Sequence, residues 1–296
     1  MLDLLVDLHI HTVLSACAEI EMIPPLIVRR AQELGLDVIA ITDHNCAANV
    51  AATIEAAAHT GVTVLPGMEV QTHEEVHMLC LFDTLEQVEA WNRVIRAELP
   101  DTLNNEDFFG AQYVVDASGE YQYTEERLLA TSTALSVEQV VAGVNALQGI
   151  CLPAHVDRPS FSILSNLGFI PPDLPIAGIE VSGRALDAAK FVQNRMLETK
   201  SNQNTPRSEC FSSTSGSDAG QEPSKRSQKS ILTTSQKLVE LLAGVDQYGM
   251  MVNSDAHRLA EMGTRTRVSV AAPTVSELFL ALRGQRTRHI ELVSDV

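Results

Sequence analysis

Short apolar runs alternate with helical stretches along most of this chain, and most of its nine histidines fall at or just after the ends of those runs. Residues 6–11 read as a first strand. A helix follows, opened by Pro24-Pro25 and closed by Leu34-Gly35, where the glycine takes the C-cap. Residues 37–42 read as a buried strand, 47–60 as an alanine-rich helix, and 62–67 and 75–82 as two more strands. Thr84 then caps a helix to about residue 98, and Ser136 caps another to about 147. Further strands are expected at 149–154, 176–181 and 249–253, with 268–270 and 290–292 closing the count. Strand, helix and strand at this pace predict a parallel sheet. The first strand has no glycine-rich phosphate loop after it, so an α/β barrel is expected rather than an open doubly wound sheet.

In such a barrel the C-terminal strand ends converge on one face, so residues far apart in sequence meet there. His9 and His11 stand two apart on a strand and point to one side, which lets both imidazoles reach one ion. Asp43-His44, Glu69, His77, His155 and Asp255-Ala256-His257 add imidazoles and carboxylates at matching places. One histidine at a strand end is ordinarily a hydrogen-bonded structural residue, but this ordered set argues for metal. Mixed nitrogen and oxygen donors suit Mn, Zn or Fe rather than Ca or Mg. His59, His73 and His289 are assigned to structure or solvent.

Charge narrows the partners. With 21 basic against 38 acidic residues and a formal charge of −17, the chain is not expected to grip nucleic acid through a broad basic surface. A small anionic substrate is compatible, because carboxylates gathered around cations count as negative while the occupied site is locally positive. Aromatics, at 4%, leave few stacking platforms for single strands. No apolar run approaches the roughly 18–20 residues of a membrane span. The first seven residues carry two carboxylates and no base, unlike a signal peptide. Five scattered cysteines without a CxxC pair fit a reducing compartment, so a cytoplasmic location is expected.

Four motifs taken together, Asp7-Leu8-His9-Ile10-His11-Thr12-x-x-Ser15, Ile41-Thr42-Asp43-His44, Pro66-Gly67-Met68-Glu69 and Asn253-Ser254-Asp255-Ala256-His257, resemble the PHP (polymerase and histidinol phosphatase) domain family. The resemblance runs from residue 3 to about 270. It implies a distorted TIM-like (β/α)7 barrel that binds two or three divalent ions and hydrolyses phosphoesters. By the same resemblance His9, His11, Glu69 and Asp255 would surround one ion, Glu69 would bridge to a second held by His77 and His155, and His44 and His257 would serve a third. Family members usually place an acid or histidine just after the first motif, where this chain has Ser15-Ala16-Cys17. Glu21 is nominated for that place over Glu19, with Cys17 either a soft ligand or an inert thiol.

Paired ions would acidify a bridging water, giving hydroxide near neutral pH, and would neutralise the phosphoryl oxygens. Asp43 or a spare histidine would carry the proton to the leaving oxygen. Arg158, Arg184 and Arg258 follow strand ends, where a guanidinium can fork onto phosphate. The expected substrate is a small phosphate ester: a nucleotide, a sugar or histidinol-type phosphate, or a short 5′-phosphorylated oligonucleotide. A metal-dependent amidohydrolase is one alternative, but many of those bridge their ions with a carbamylated lysine from a middle strand, and this chain has no lysine before Lys190. A non-catalytic, regulatory metal-binding module is the other. A single catalytic domain is expected over 1–296. The irregular 99–124 stretch, together with 156–173, would shape the pocket, and 200–235, rich in Ser, Thr, Gln, Asn and Gly, would be a flexible insertion.

Overall fold

The computed structural model describes residues 1–183, 245, 247–263 and 266–293. Arg184 and the 200–235 segment lie outside the described residues. The strands are β1 (Leu2–Ile10), β2 (Val38–Ile41), β3 (Thr63–Gln71), β4 (His77–Leu81), β5 (Tyr113–Val115), β6 (Tyr121–Thr124), β7 (Ile150–Pro153), β8 (Ile179–Glu180), β9 (Met250–Met251), β10 (Thr266–Val270) and β11 (His289–Leu292). Seven of them form one curled sheet in the order β11-β10-β1-β2-β3-β4-β7, while β5-β6 and β8-β9 form separate pairs. Among the described helices are α1 (Pro24–Glu33), α2 (Val50–Ala56), α3 (Leu85–Glu98), α4 (Glu106–Phe109), α5 (Val137–Ala146), α6 (Ile163–Asn166) and α7 (Val275–Leu282). This is an α/β fold with a distorted, TIM-like barrel sheet. No described helix is long and apolar enough to cross a membrane.

The expectation of parallel strands throughout needs correction. β1, β2 and β3 run parallel, whereas β3-β4, β4-β7, β1-β10 and β10-β11 are antiparallel. For β3-β4 the reason is loop length. A parallel crossover takes about a dozen residues or more, and β3 continues past Glu69 to Gln71, leaving only 72–76 before β4. Within the 99–124 stretch, β5 and β6 pair as an antiparallel hairpin. Thr84 and Ser136 cap α3 and α5 as expected, each in a capping box with Gln87 or Gln139.

Residues two apart on the strands supply one apolar face: Val6 and Leu8, Val38 and Ala40, Leu79 and Leu81, Val268 and Val270. They pack in a single cluster with Leu152, Met251 and, from α7, Val275, Leu278 and Leu282. Burying each such side chain contributes about 1.5–3 kcal/mol. Between the Asp7–Ile39 and Ile10–Ile41 pairs, β1 advances three residues while β2 advances two. A bulge of this kind re-aims side chains. Here it leaves Leu8 in the core cluster while His9 and His11, next along the chain, meet at the strand end.

Candidate metal centre

Glu69 is the hub, and a glycine puts it there. A Cβ on Gly67 would lie 2.8 Å from Thr42 Cγ2 and 2.9 Å from the Ile41 carbonyl oxygen, so only glycine lets the ends of β2 and β3 come this close. Beyond that point Glu69 N donates to Asp43 O (3.1 Å) and Asn45 N to Glu69 O (2.9 Å), which sets His44 alongside Glu69.

Donor atoms from five strand ends converge on the Glu69 carboxylate. His9 Nε2 and His11 Nε2 are 3.1 Å apart. Asp255 Oδ1 lies 3.2 Å from the first and 3.1 Å from the second, and Glu69 oxygens lie 3.4 Å from each. Ligands about 2.0–2.1 Å from a tetrahedral ion stand roughly 3.3–3.4 Å from one another, so this quartet has the spacing of a coordination shell. On its other side Glu69 Oε1 is 2.9 Å from His77 Nδ1 and 3.2 Å from His155 Nε2, while Oε2 is 3.0 Å from His44 Nδ1. Despite these contacts, Oε2 is buried with no aligned hydrogen-bond partner, as is His155 Nδ1. Such orphaned buried acceptors are rare unless an ion or water satisfies them.

A surrounding layer fixes how the imidazoles face. His9 Nδ1 lies 3.0 Å from Glu180 Oε2, and Glu180 also accepts from Asn253 Nδ2 (2.9 Å) and His155 N (3.1 Å). His11 Nδ1 lies 3.0 Å from Ser15 Oγ, whose hydroxyl donates to Asp43 Oδ1 at 2.7 Å. With Nδ1 engaged outward in both rings, the Nε2 atoms point inward. His257 Nδ1 likewise donates to the Asp255 carbonyl (2.9 Å). Asp43 also accepts from Thr12 N and Thr12 Oγ1, both at 2.7 Å. Three bonds to Thr12 and Ser15 thus hold the buried Asp43 carboxylate, which through Ser15 positions His11. The Asp43 pKa is raised by burial, which outweighs those bonds.

The electrostatics follow from crowding. Burial opposes charge on His9, but Glu180, Asp255 and Glu69 together push its pKa well up. For His11 burial, with His257 and His44 beside it, pushes the pKa well down. Burial works against ionised Glu69 too, yet His77, His9 and His44 hold it well below the ordinary carboxylate value. Four non-glycine residues bordering the centre, Asn45, His155, Phe161 and Asp255, have positive φ, a strain of about 1 kcal/mol or more each that persists where surrounding structure enforces it.

Residues 7–251 match the PHP domain family. The chain belongs to that family. The donor set around Glu69 fits divalent ions. Among solved structures, the PHP chain is similar to the lesion-specific endonuclease EndoQ from Pyrococcus furiosus (18% identity, TM-score 0.58, 98% of this chain and 58% of that one). It is equally similar to Endonuclease Q in complex with a 27-mer duplex carrying an abasic lesion at the active site (18% identity, TM-score 0.59, 97% of this chain and 58% of that one). The chain thus spans less than two thirds of those proteins, and at this identity the likeness shows the fold. No curated protein matches the chain.

Within the PHP centre the structure brings together His9, His11, His44, Glu69, His77, His155, Asp255 and His257. It does not bring Glu21, whose side chain is exposed; Cys17, itself exposed, is the residue of that loop beside His44 and His257. Arg158 reaches the centre, with Nη2 2.5 Å from Asp255 Oδ2. Arg258 pairs instead with Glu19 at 3.0 Å and is 60% exposed. Arg184 lies outside the described residues. Two residues escaped the sequence reading. Glu180 was visible only as an acid inside an apolar run, and Phe161, whose ring stacks on His77 at 4.9 Å, had no signal.

Proposed function

We propose that this PHP domain hydrolyses small phosphate esters with two or three ions of the Mn, Zn or Fe kind. The observation that carries the reading is the pair of Nε2 atoms 3.1 Å apart, each within 3.1–3.4 Å of oxygens of Asp255 and of Glu69, which faces two further imidazole sets. Two imidazole nitrogens and two carboxylates meeting this closely need a cation among them, a proton in the metal-free chain and a divalent ion in the loaded one. His9, His11, Glu69 and Asp255 would hold one ion, Glu69, His77 and His155 a second, and His44 and His257 would serve a third. When bound, divalent ions supply Lewis acidity toward a phosphoryl oxygen and lower the pKa of a nucleophilic water.

The chain's own residues supply the rest. Glu180 and the Ser15–Asp43 relay orient His9 and His11. Arg158, 43% exposed at the mouth, offers guanidinium donors to a phosphate oxygen. The 156–173 and 99–124 stretches wall the approach. Glu69 would take the bridging role that many amidohydrolases give to a modified lysine, which favours phosphoester over amide chemistry. The acidic balance favours small esters, while the duplex bound to Endonuclease Q makes an oligonucleotide a necessary comparison. Cys17, Cys46, Cys80 and Cys151 are free thiols, in keeping with a cytoplasmic setting.

The test is a turnover screen with Mn, Zn and Fe against phosphate monoesters, nucleotides, 5′-phosphorylated oligonucleotides and cyclic amides. Release of phosphate that disappears in His9→Ala and Glu69→Ala is expected. Turnover unchanged in both variants would sink the site, and amide opening without phosphate release would sink the chemistry.

A further inference from the structure

The loop after the first motif delivers a thiol to the rim of the centre. Ser15 N donates to Thr12 O (3.0 Å) and Ala18 N to Ser15 O (2.8 Å), a tight turn that Glu19 N then pins to the His257 carbonyl at 2.9 Å. Gly110, with φ +95°, closes the 99–124 stretch onto the same turn; a Cβ there would fall 2.5 Å from the Ala16 carbonyl oxygen. Held this way, exposed Cys17 sits between Ser15, whose Oγ accepts from His44 N at 3.3 Å, and Glu19, whose N–H meets the His257 carbonyl, which puts the thiol beside both histidines.

Those two histidines already form a group. Ring nitrogens of His11, His44 and His257 all lie within 4.8 Å of one another, and the His11 ring is centred 4.2 Å from that of His257 and 4.5 Å from that of His44. The inner wall of the group is Glu69 Oε2, 1% exposed, with no hydrogen-bond partner and 3.0 Å from His44 Nδ1. His257 spends its Nδ1–H on the Asp255 carbonyl, which leaves Nε2 as a lone pair. The nearby carboxylates are occupied elsewhere: Glu19 pairs with Arg258, and Glu21 is exposed.

We infer that Cys17 is a thiolate ligand of an outer ion held together with His44 and His257, so that one sulfur-containing site stands beside two nitrogen–oxygen sites. This rests on the reading of the centre as a metal site. The thiol proton leaves to solvent as the ion binds. Soft thiolate selects Zn²⁺ or Co²⁺, whereas Mn²⁺ prefers oxygen-rich surroundings. The protein would then carry two kinds of ion, with the outer position filled by Zn²⁺ even when the inner ones hold Mn²⁺.

The metal-free full chain, titrated with Co²⁺ under reducing conditions and followed by absorption spectroscopy, tests this directly. A thiolate-to-cobalt charge-transfer band that saturates with one ion per chain is expected. Cys17→Ser should lose the band and bind one ion fewer, Cys17→His should keep the ion without the band, and Cys46→Ala should keep both. Cobalt bound without the band, or a band that survives in Cys17→Ser, would overturn the inference and leave the phosphoesterase reading standing. No cobalt bound at all would overturn both.

Discussion

His9 Nδ1 lies 3.0 Å from Glu180 Oε2, and both side chains are shut off from water. The same carboxylate accepts the backbone N–H of His155, so one acid orients a candidate ligand of the first site and anchors the strand end that carries a ligand of the second. Outer partners of this kind typically contribute 10–100-fold to metal affinity. Glu180→Gln is expected to weaken metal binding by about that factor while the fold is kept, as read by competition with a chromophoric chelator. Wild-type affinity in the variant would mean that Glu180 only fills space.

The candidate ligands were legible because each ends an apolar strand run: His9, His44, Glu69, His155 and Asp255 interrupt hydrophobic segments where a barrel gathers its functional face. Glu180 was not, since Ile179-Glu180-Val181 reads as one more buried strand. A buried acid does demand a partner, and that was the available signal, but the partner lies 171 residues away. Sheet direction was misread because the strand ending near Gly67 in sequence runs on through Glu69 to Gln71. The true 72–76 link is too short for a crossover, and only the longer strand reveals it. Cys17 was left open beside Glu19 and Glu21 because spacing cannot say which side of a tight turn faces the histidines.

Arg158 Nη2 sits 2.5 Å from Asp255 Oδ2, leaving other guanidinium donors toward the mouth. A fixed donor aimed at developing phosphoryl charge is worth roughly 10²–10³ in rate. Arg158→Ala is expected to lower kcat/KM by about 10²-fold, and Arg158→Lys to recover little, because an ammonium lacks the fork. Steady-state kinetics on a phosphate monoester decide it. Unchanged kcat/KM in Arg158→Ala would remove Arg158 from the site.

Asp7 is wholly buried, accepting from Ser254 N at 3.0 Å and Gly263 N at 3.4 Å. Burial outweighs these bonds and the nearby His9, pushing its carboxyl from 3.8 up to about 6. The folded chain therefore holds this proton where the unfolded chain has lost it. Its effect is absent below about pH 4, destabilises progressively as pH rises to about 6, and levels off near 3 kcal/mol above that. Urea unfolding of the metal-free protein should show Asp7→Asn gaining on the wild type by about that amount between pH 4 and pH 7. Parallel stability curves would contradict the assignment.

Gly67 gives the sharpest link between packing and the centre. A methyl group at this position meets Thr42 Cγ2 at 2.8 Å, the Ile41 carbonyl oxygen at 2.9 Å and Leu81 Cδ2 at 3.1 Å. The carbonyl is backbone in the parallel β2-β3 ladder, where Ile41 pairs with Pro66, so it can yield only if the two strands separate. Overpacking of this sort costs about 1–3 kcal/mol. Separation also carries Glu69 away from His44, since Glu69 lies on β3 two residues beyond Gly67 and His44 follows β2. Gly67→Ala is thus expected to lower the urea midpoint of the metal-free protein and, separately, to weaken metal binding. Gly263→Ala, close to the same centre with nothing within 4 Å of the added carbon, should do neither. Equal behaviour of the two variants would show that the close approach at Gly67 does not position the hub.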